Sequence, residues 1–243
     1  MTLLSVVKDV CSVVGVLLPQ SVVSGIAGNR TMQEMLSLAN EMAQRIAYDT
    51  RDWQTLRATA TFTGDGTADN FPLPENFKRL MLTSNVWRGT SMTEPMTFVS
   101  DLDEWVRYSR GNSWSSGIGG GSWMFSGGSL YVRPVLALDE TATFHYIDKN
   151  CIALASGGFG DRFIADGDRF RLDERLLTLG MIWQWKAQKG SPYAEDMGTY
   201  GDALAVAMGH DQPGPILIGR RPLSANSRVA IPSQTIYFPG ATP

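Results

Sequence analysis

Apolar residues at Leu3, Val6, Val7, Val10, Val13 and Val14 recur every three or four positions and predict a helix over 3–15. Thr2 is placed to cap it and Gly15 to end it. The segment 16–29 has valines but also Pro19 and two glycines, and reads as a loop with at most a short helical turn. Thr31 to Glu34 has the spacing of a capping box. Met35, Leu38, Met42, Arg45 and Ile46 continue one face of a second helix that runs to about Asp49.

After Trp53 the period changes. Ala58 to Phe62 alternates with threonines, as a strand does, and Gly64-Asp65-Gly66 supplies a turn. Phe71-Pro72-Leu73-Pro74 must be extended, because each proline moves its predecessor out of the helical region. Residues 78–83, 86–88 and 92–98 read as further strands, and Ser100 to Asp103 opens a short helix carrying Trp105 and Tyr108. The Gly- and Ser-rich run 111–121 around Trp114 reads as a mobile loop that orders against a partner. Residues 122–125 and 130–132 flank Ser126-Gly127-Gly128-Ser129, whose glycines suit a two-residue hairpin turn. Residues 141–148 alternate Thr, Thr, His, Ile with Ala, Phe, Tyr and are expected to pair with that hairpin, closing the β region near Asn150.

Helical periodicity returns in 161–209. Leu172, Leu176, Leu179 and Trp183 share one face behind Asp173 and Glu174, where the helix dipole favours anions. Gly190 ends that helix, Ser191 is placed to cap the next, and Pro192 fits its first turn. Met197, Tyr200, Leu204 and Ala207 make the matching stripe of a second helix that stops at Gly209. Prolines at 213, 215, 222, 232, 239 and 243 then exclude a long helix. The order of helices, strands and helices is segregated, so the expected class is α+β. Its parts are a helical bundle from 1–56 and 161–210, an inserted antiparallel β-rich lobe over 57–160, and an extended C-terminal tail over 211–243.

Composition adds mostly exclusions. The 243 residues are 43% apolar, enough to bury a core, which excludes disorder of the whole chain. A net charge of −3 without any basic block leaves no nucleic-acid footprint. Pro19, Gln20, Ser21, Ser24 and Gly25 interrupt the uncharged stretch near the start, so it reads neither as a membrane span nor as a signal peptide. Cys11 and Cys151 lack metal-site or disulfide-framework spacing, which suits a reducing compartment.

Catalytic chemistry finds no foothold. His145 and His210 sit on a strand and after a helix, without a visible acid/base partner. Asp161, Asp166, Asp168 and Asp173 lack the alternate spacing and closing glutamate of a calcium loop, and read as caps and turns. Gly117 to Gly121 is followed by neither a helix start nor a lysine, so it is no phosphate loop. No cofactor or metal is expected. Contact residues are the better prospect: Trp87, Trp114 and Trp123 lie in hairpins and loops as candidate anchors. Arg220 and Arg221, with Arg228, suit a protein partner or solvent better than DNA, and Tyr237 and Phe238 form one of the tail's apolar pieces.

Several short motifs follow one another along the chain: the helix 38–48 leading into Arg51-Asp52-Trp53-Gln54-Thr55-Leu56, then residues 62–66 and 69–74. Gly128 to Pro134, His145 to Asn150, the Asp-rich entry to 173–177, and 186–196 come next. Taken in this order they resemble the head-to-tail adaptor (connector) proteins of tailed bacteriophages, of the tail tubular protein A type. The segment 16–29 and the Pro-rich tail depart from the pattern.

The resemblance implies a structural virion protein without catalysis, forming a ring of about twelve subunits beneath the portal. Its implied partners are the portal protein, tail or nozzle proteins and further copies of itself, with DNA passing through the lumen without sequence-specific binding and no membrane involved. The implied location is the virion neck, after assembly in the host cytoplasm. A tail-tip or receptor-binding protein is the alternative structural role, and the two differ in symmetry.

Overall fold

The structure, a computed structural model, describes residues 1–26, 29–82, 84–89, 94–110 and 120–211, without the side chains of residues 26 and 108–110. Residues 111–119 of the expected loop over 111–121 and the tail beyond Asp211 lie outside the described residues, as do Trp114, Arg220, Arg221, Tyr237 and Phe238. Residues 1–211 form one compact unit.

Helix α1 (Leu3–Val14) starts and stops where its sequence predicts. Thr2 and Ser5 close a reciprocal capping box, and Gly15 takes a left-handed φ of +73°. Helix α2 (Arg30–Tyr48) begins earlier than the expected box at Thr31: Asn29 accepts from the amides of Thr31 and Met32. Glu34 instead pairs with Arg30 at 2.8 Å and with Lys189 at 2.7 Å, so its carboxylate is spent on cations and not on a cap.

Helix α4 (Glu174–Gln188) is capped by Asp173, which accepts from the Arg175 amide at 2.8 Å. The single stripe expected on α4 is too narrow. Leu176, Leu177, Met181, Ile182 and Trp185 are buried, while Leu172, Leu179 and Trp183 are half-buried, because α1, α2 and helix α5 (Ala194–His210) all pack on α4.

Ser191 does not cap α5. The amides of Gly190 and Ser191 turn back to the carbonyls of Ala187 and Lys186, closing α4. Pro192 keeps Ser191 out of the helical region, so α5 starts only at Ala194 behind an uncapping Tyr193. Of the expected α5 stripe, Tyr200, Leu204 and Ala207 are half-buried and Met197 is 51% exposed.

The β region forms two facing sheets. The first has order β1 (Arg57–Thr63), β8 (Thr141–Asp148), β3 (Phe77–Leu80), with β4 (Trp87–Arg88) also on β8. The second has order β2 (Asn70–Pro72), β7 (Ser129–Arg133), β6 (Ser122–Ser126), β5 (Thr97–Phe98). All these pairs are antiparallel except β5 with β6. The β6–β7 hairpin turns at Gly127 and Gly128, with φ of +56° and +78°, as its sequence demands.

Strand β8 corrects one expectation: it pairs with β1, β3 and β4, and lies over the hairpin rather than beside it. Ala142, Phe144 and Tyr146 face a core shared with Phe71, Trp123, Leu130 and Val132. Helix α3 (Leu102–Arg110) covers the other side of the second sheet, where Trp105 meets Val99 and Met124. The predicted strand over 92–98 shrinks to Thr97–Phe98, with residues 90–93 outside the described set.

The two hydrophobic cores are joined at one end of β8. Ile147 points to the opposite face from Tyr146 and sits, with Met81, Cys151 and Ile152, in the core made by α1, α2 and α4. Beyond Asn150 the sequence predicts no strand, yet β9 (Ile152–Ala153), β10 (Phe159–Gly160) and β11 (Arg169–Phe170) form a small antiparallel sheet that also feeds this core through Ile152 and Phe170.

Candidate assembly surface

The aspartate-rich loop before α4 acts as a clamp. Asp168 is fully buried, and its carboxylate accepts from the amides of Ala155, Ile164 and Ala165 at 2.7–2.8 Å. The main-chain carbonyls of Asp168 and Asp166 take the amides of Leu3 at 2.8 Å and Leu4 at 3.1 Å, two of the amides that the first turn of α1 leaves without helical partners. Asp166 then reaches the valine-rich segment, accepting from Ser21 Oγ at 2.5 Å and from the amides of Val22 and Val23 at 2.9 Å. Burial raises the Asp166 pKa, but those three hydrogen bonds outweigh it and hold the carboxyl below its ordinary value.

An apolar projection precedes the clamped valines. Val22 is fully buried, whereas Leu17 is 90% exposed, Leu18 55% and Val13, on the last turn of α1, 57%. Leu17, Leu18, Pro19 and Met32 help line an open groove of about 700 Å³. Residues 16–26 form the expected loop with a short helical turn at Ser24–Ile26, but their partner Asp166 lies 144 residues from Val22 and no local signal links them.

Helix α5 presents a second unusual surface. Ala194, Gly198, Gly201, Ala205 and Gly209 fall on its exposed side, and a Cβ added at any of these glycines would meet nothing within 4 Å. Glycine lowers helix stability by about 1 kcal/mol relative to alanine. Three on one face therefore cost stability without filling any space inside the chain. Their spacing is visible in the sequence, although the apolar periodicity of the opposite face draws attention away from it. Acidic Glu195 and Asp202 flank this face, and the α5 C-terminus is latched to the segment before β1. There Asp211 accepts from the Gln54 amide at 3.2 Å and pairs with Arg51 at 3.4 Å.

Of the candidate anchors, Trp87 is 40% exposed on β4, opposite Thr143. Trp123 is corrected to a core residue: only 3% exposed, it packs against Phe98 and Phe125 with centroids 4.7 and 5.0 Å away. Its alternation on β6 turns it inward, which a hairpin position alone did not reveal. His145 is exposed on β8, with Nδ1 2.9 Å from Thr59 Oγ1, and His210 lies at a shallow groove with Asp173, Arg175 and Asp202. Among the described residues no cluster of three or more His, Cys, Asp or Glu side chains is placed to hold a metal. No described helix is long and apolar enough to cross a membrane.

The site is thus a set of surfaces. Comparison with known sequences agrees in kind. No curated protein matches the chain significantly. The sequence model of the SU10 adaptor protein family does match, over residues 1–212, which takes in every described element. This bears out the resemblance read from the motifs: the chain belongs to the SU10 adaptor protein family, the structural adaptors of bacteriophage.

Proposed function

We propose that this protein is the head-to-tail adaptor of its phage, a ring of about twelve copies mounted beneath the portal and giving the tail its attachment surface. The family match over residues 1–212 is the observation that carries the reading. Residues 1–56 and 161–210 act as a helical bundle that packs side by side around the ring, and 57–160 act as a lobe directed to neighbouring components. The segment after Asp211 reaches portal or tail proteins.

A heterologous ring contact needs two different faces on each subunit. The exposed leucines beside α1 and the glycine-lined face of α5 supply one bulky and one flat surface. At −3 per copy, twelve copies carry about −36, which lets DNA traverse the lumen without adhering.

Electron microscopy of the purified protein, alone and with purified portal, tests the reading. Closed rings coaxial with the portal are expected. Trimers, or monomers that ignore the portal, would refute it.

A further inference from the structure

We infer that the outer edge of β1 is a docking site for an extended segment of another virion protein, added to the first sheet as one more strand. The strand is seven residues long, and among the described residues β8 is its one paired neighbour. Antiparallel neighbours hydrogen-bond at alternate positions, so the direction of each backbone group can be assigned. The Gly64 amide donates to the Glu140 carbonyl at 2.7 Å, which aligns even-numbered positions of β1 with β8. His145 confirms the parity from the other side: its amide donates to Ser84 Oγ and its carbonyl accepts from the Met81 amide, both away from β1. Ala58, Ala60 and Phe62 are therefore the bonded positions. The amides and carbonyls of Thr59, Thr61 and Thr63 face outward.

Such a row, with repeats about 6.8 Å apart along one strand, matches only another polypeptide backbone. Exposed edges are commonly blunted by lysine, proline or a bulge, and β1 has none of these between Arg57 and Thr63. Among the described residues the other edges of the two sheets are shorter: β3 has four residues, β2 has three and ends in Pro72, and β4 and β5 have two each. A second copy could match the length only through its own β1, in a two-fold pair that does not propagate around a ring.

The occupant's chemistry follows from the side chains. Thr59, Thr61 and Thr63 are exposed on the solvent face, while Phe62 lies half-buried at the rim of the core, its ring 5.4 Å from Phe71 and 5.9 Å from Phe144. The incoming strand alternates hydroxyl or β-branched residues with an apolar residue that extends the core beside Phe62. Its middle is uncharged. A carboxylate belongs at the Arg57 end, where the exposed guanidinium has, among the described residues, only a 3.4 Å bond to the Asp52 carbonyl.

The source of the strand rests on the adaptor reading; the open edge does not. Amide hydrogen exchange on free subunits and on intact virions tests both separately. In free subunits the amides of Thr59, Thr61 and Thr63 exchange as open groups, and in virions they slow by roughly 100-fold, while Ala60 and Phe62 are protected in both. Thr61→Pro removes one outward amide and is expected to leave the unfolding midpoint unchanged but to abolish protection at Thr59 and Thr63 in assembled particles; Thr61→Val keeps it. Open edge amides in virions would overturn the inference. So would protection already present in free subunits, or virion protection lost on truncation after Asp211, since either would assign the strand to this chain. Absence of wild-type protein from the virion neck would instead refute the adaptor reading.

Discussion

Arg171 Nη1 lies 3.0 Å from Asp148 Oδ2, and this pair holds the end of β8 against the entry to α4. The same guanidinium donates to the carbonyls of Asn150 and Thr55 and stacks on Phe159 with its carbon 4.3 Å from the ring centroid. Both side chains are largely buried, at 14% and 9% exposure. Three separate stretches of chain therefore converge on one planar cation, at the junction of the two cores.

Removing one partner of a buried pair strands the other. Arg171→Ala should destabilise the protein by about 3–5 kcal/mol, read as a lowered urea midpoint at unchanged slope. Arg171→Lys should recover only part of this, because an ammonium cannot reproduce the planar fork that serves Asp148, Asn150 and Thr55 together.

The Asp166 clamp should be acid-sensitive. Its folded-state pKa is lowered, so its stabilisation is full above the ordinary aspartate value and is lost as pH falls through the lower folded value. Exchange of the Val22 and Val23 amides should accelerate across that window. Asp166→Asn should cost about 1–3 kcal/mol at neutral pH and largely remove the pH dependence.

Gly64 is a packing requirement. A Cβ there would lie 2.4 Å from Leu136 Cβ and 2.5 Å from the Ala137 carbonyl oxygen, and backbone cannot move aside cheaply. Gly64→Ala should therefore lose about 3 kcal/mol in denaturant unfolding, the upper end of overpacking costs.

Gly201 should behave in the opposite way. Its surroundings are open, so Gly201→Ala should stabilise the isolated subunit by about 1 kcal/mol through helix propensity. If the α5 face is the flat half of the ring contact, Gly201→Leu should leave the subunit folded but prevent rings in electron micrographs. Rings unaffected by Gly201→Leu would remove that face from the contact.

Much of the local structure is legible in the sequence because its determinants are local. The Thr2 cap, the Gly15 stop, the Gly127-Gly128 turn and the strand alternation of 57–63 each depend on residues within a few positions. Where a local signal had two uses, tertiary structure chose between them. Glu34 spends its carboxylate on Arg30 and Lys189, and the Ser191 amide closes α4. Trp123 shows the same limit, since alternation places it on one face of β6 without saying that the first sheet covers that face and α3 the other.

What the sequence by itself determined is the α+β class, the helix and hairpin boundaries near strong caps and turns, and the resemblance to bacteriophage adaptors that the family match bears out. Only the tertiary structure decided that β8 serves two cores, that Asp166 pins Val22 from across the chain, and that one edge of β1 has no paired strand among the described residues. The reason is physical: backbone propensity acts between neighbours, whereas burial and hydrogen-bond satisfaction are settled among residues far apart in sequence.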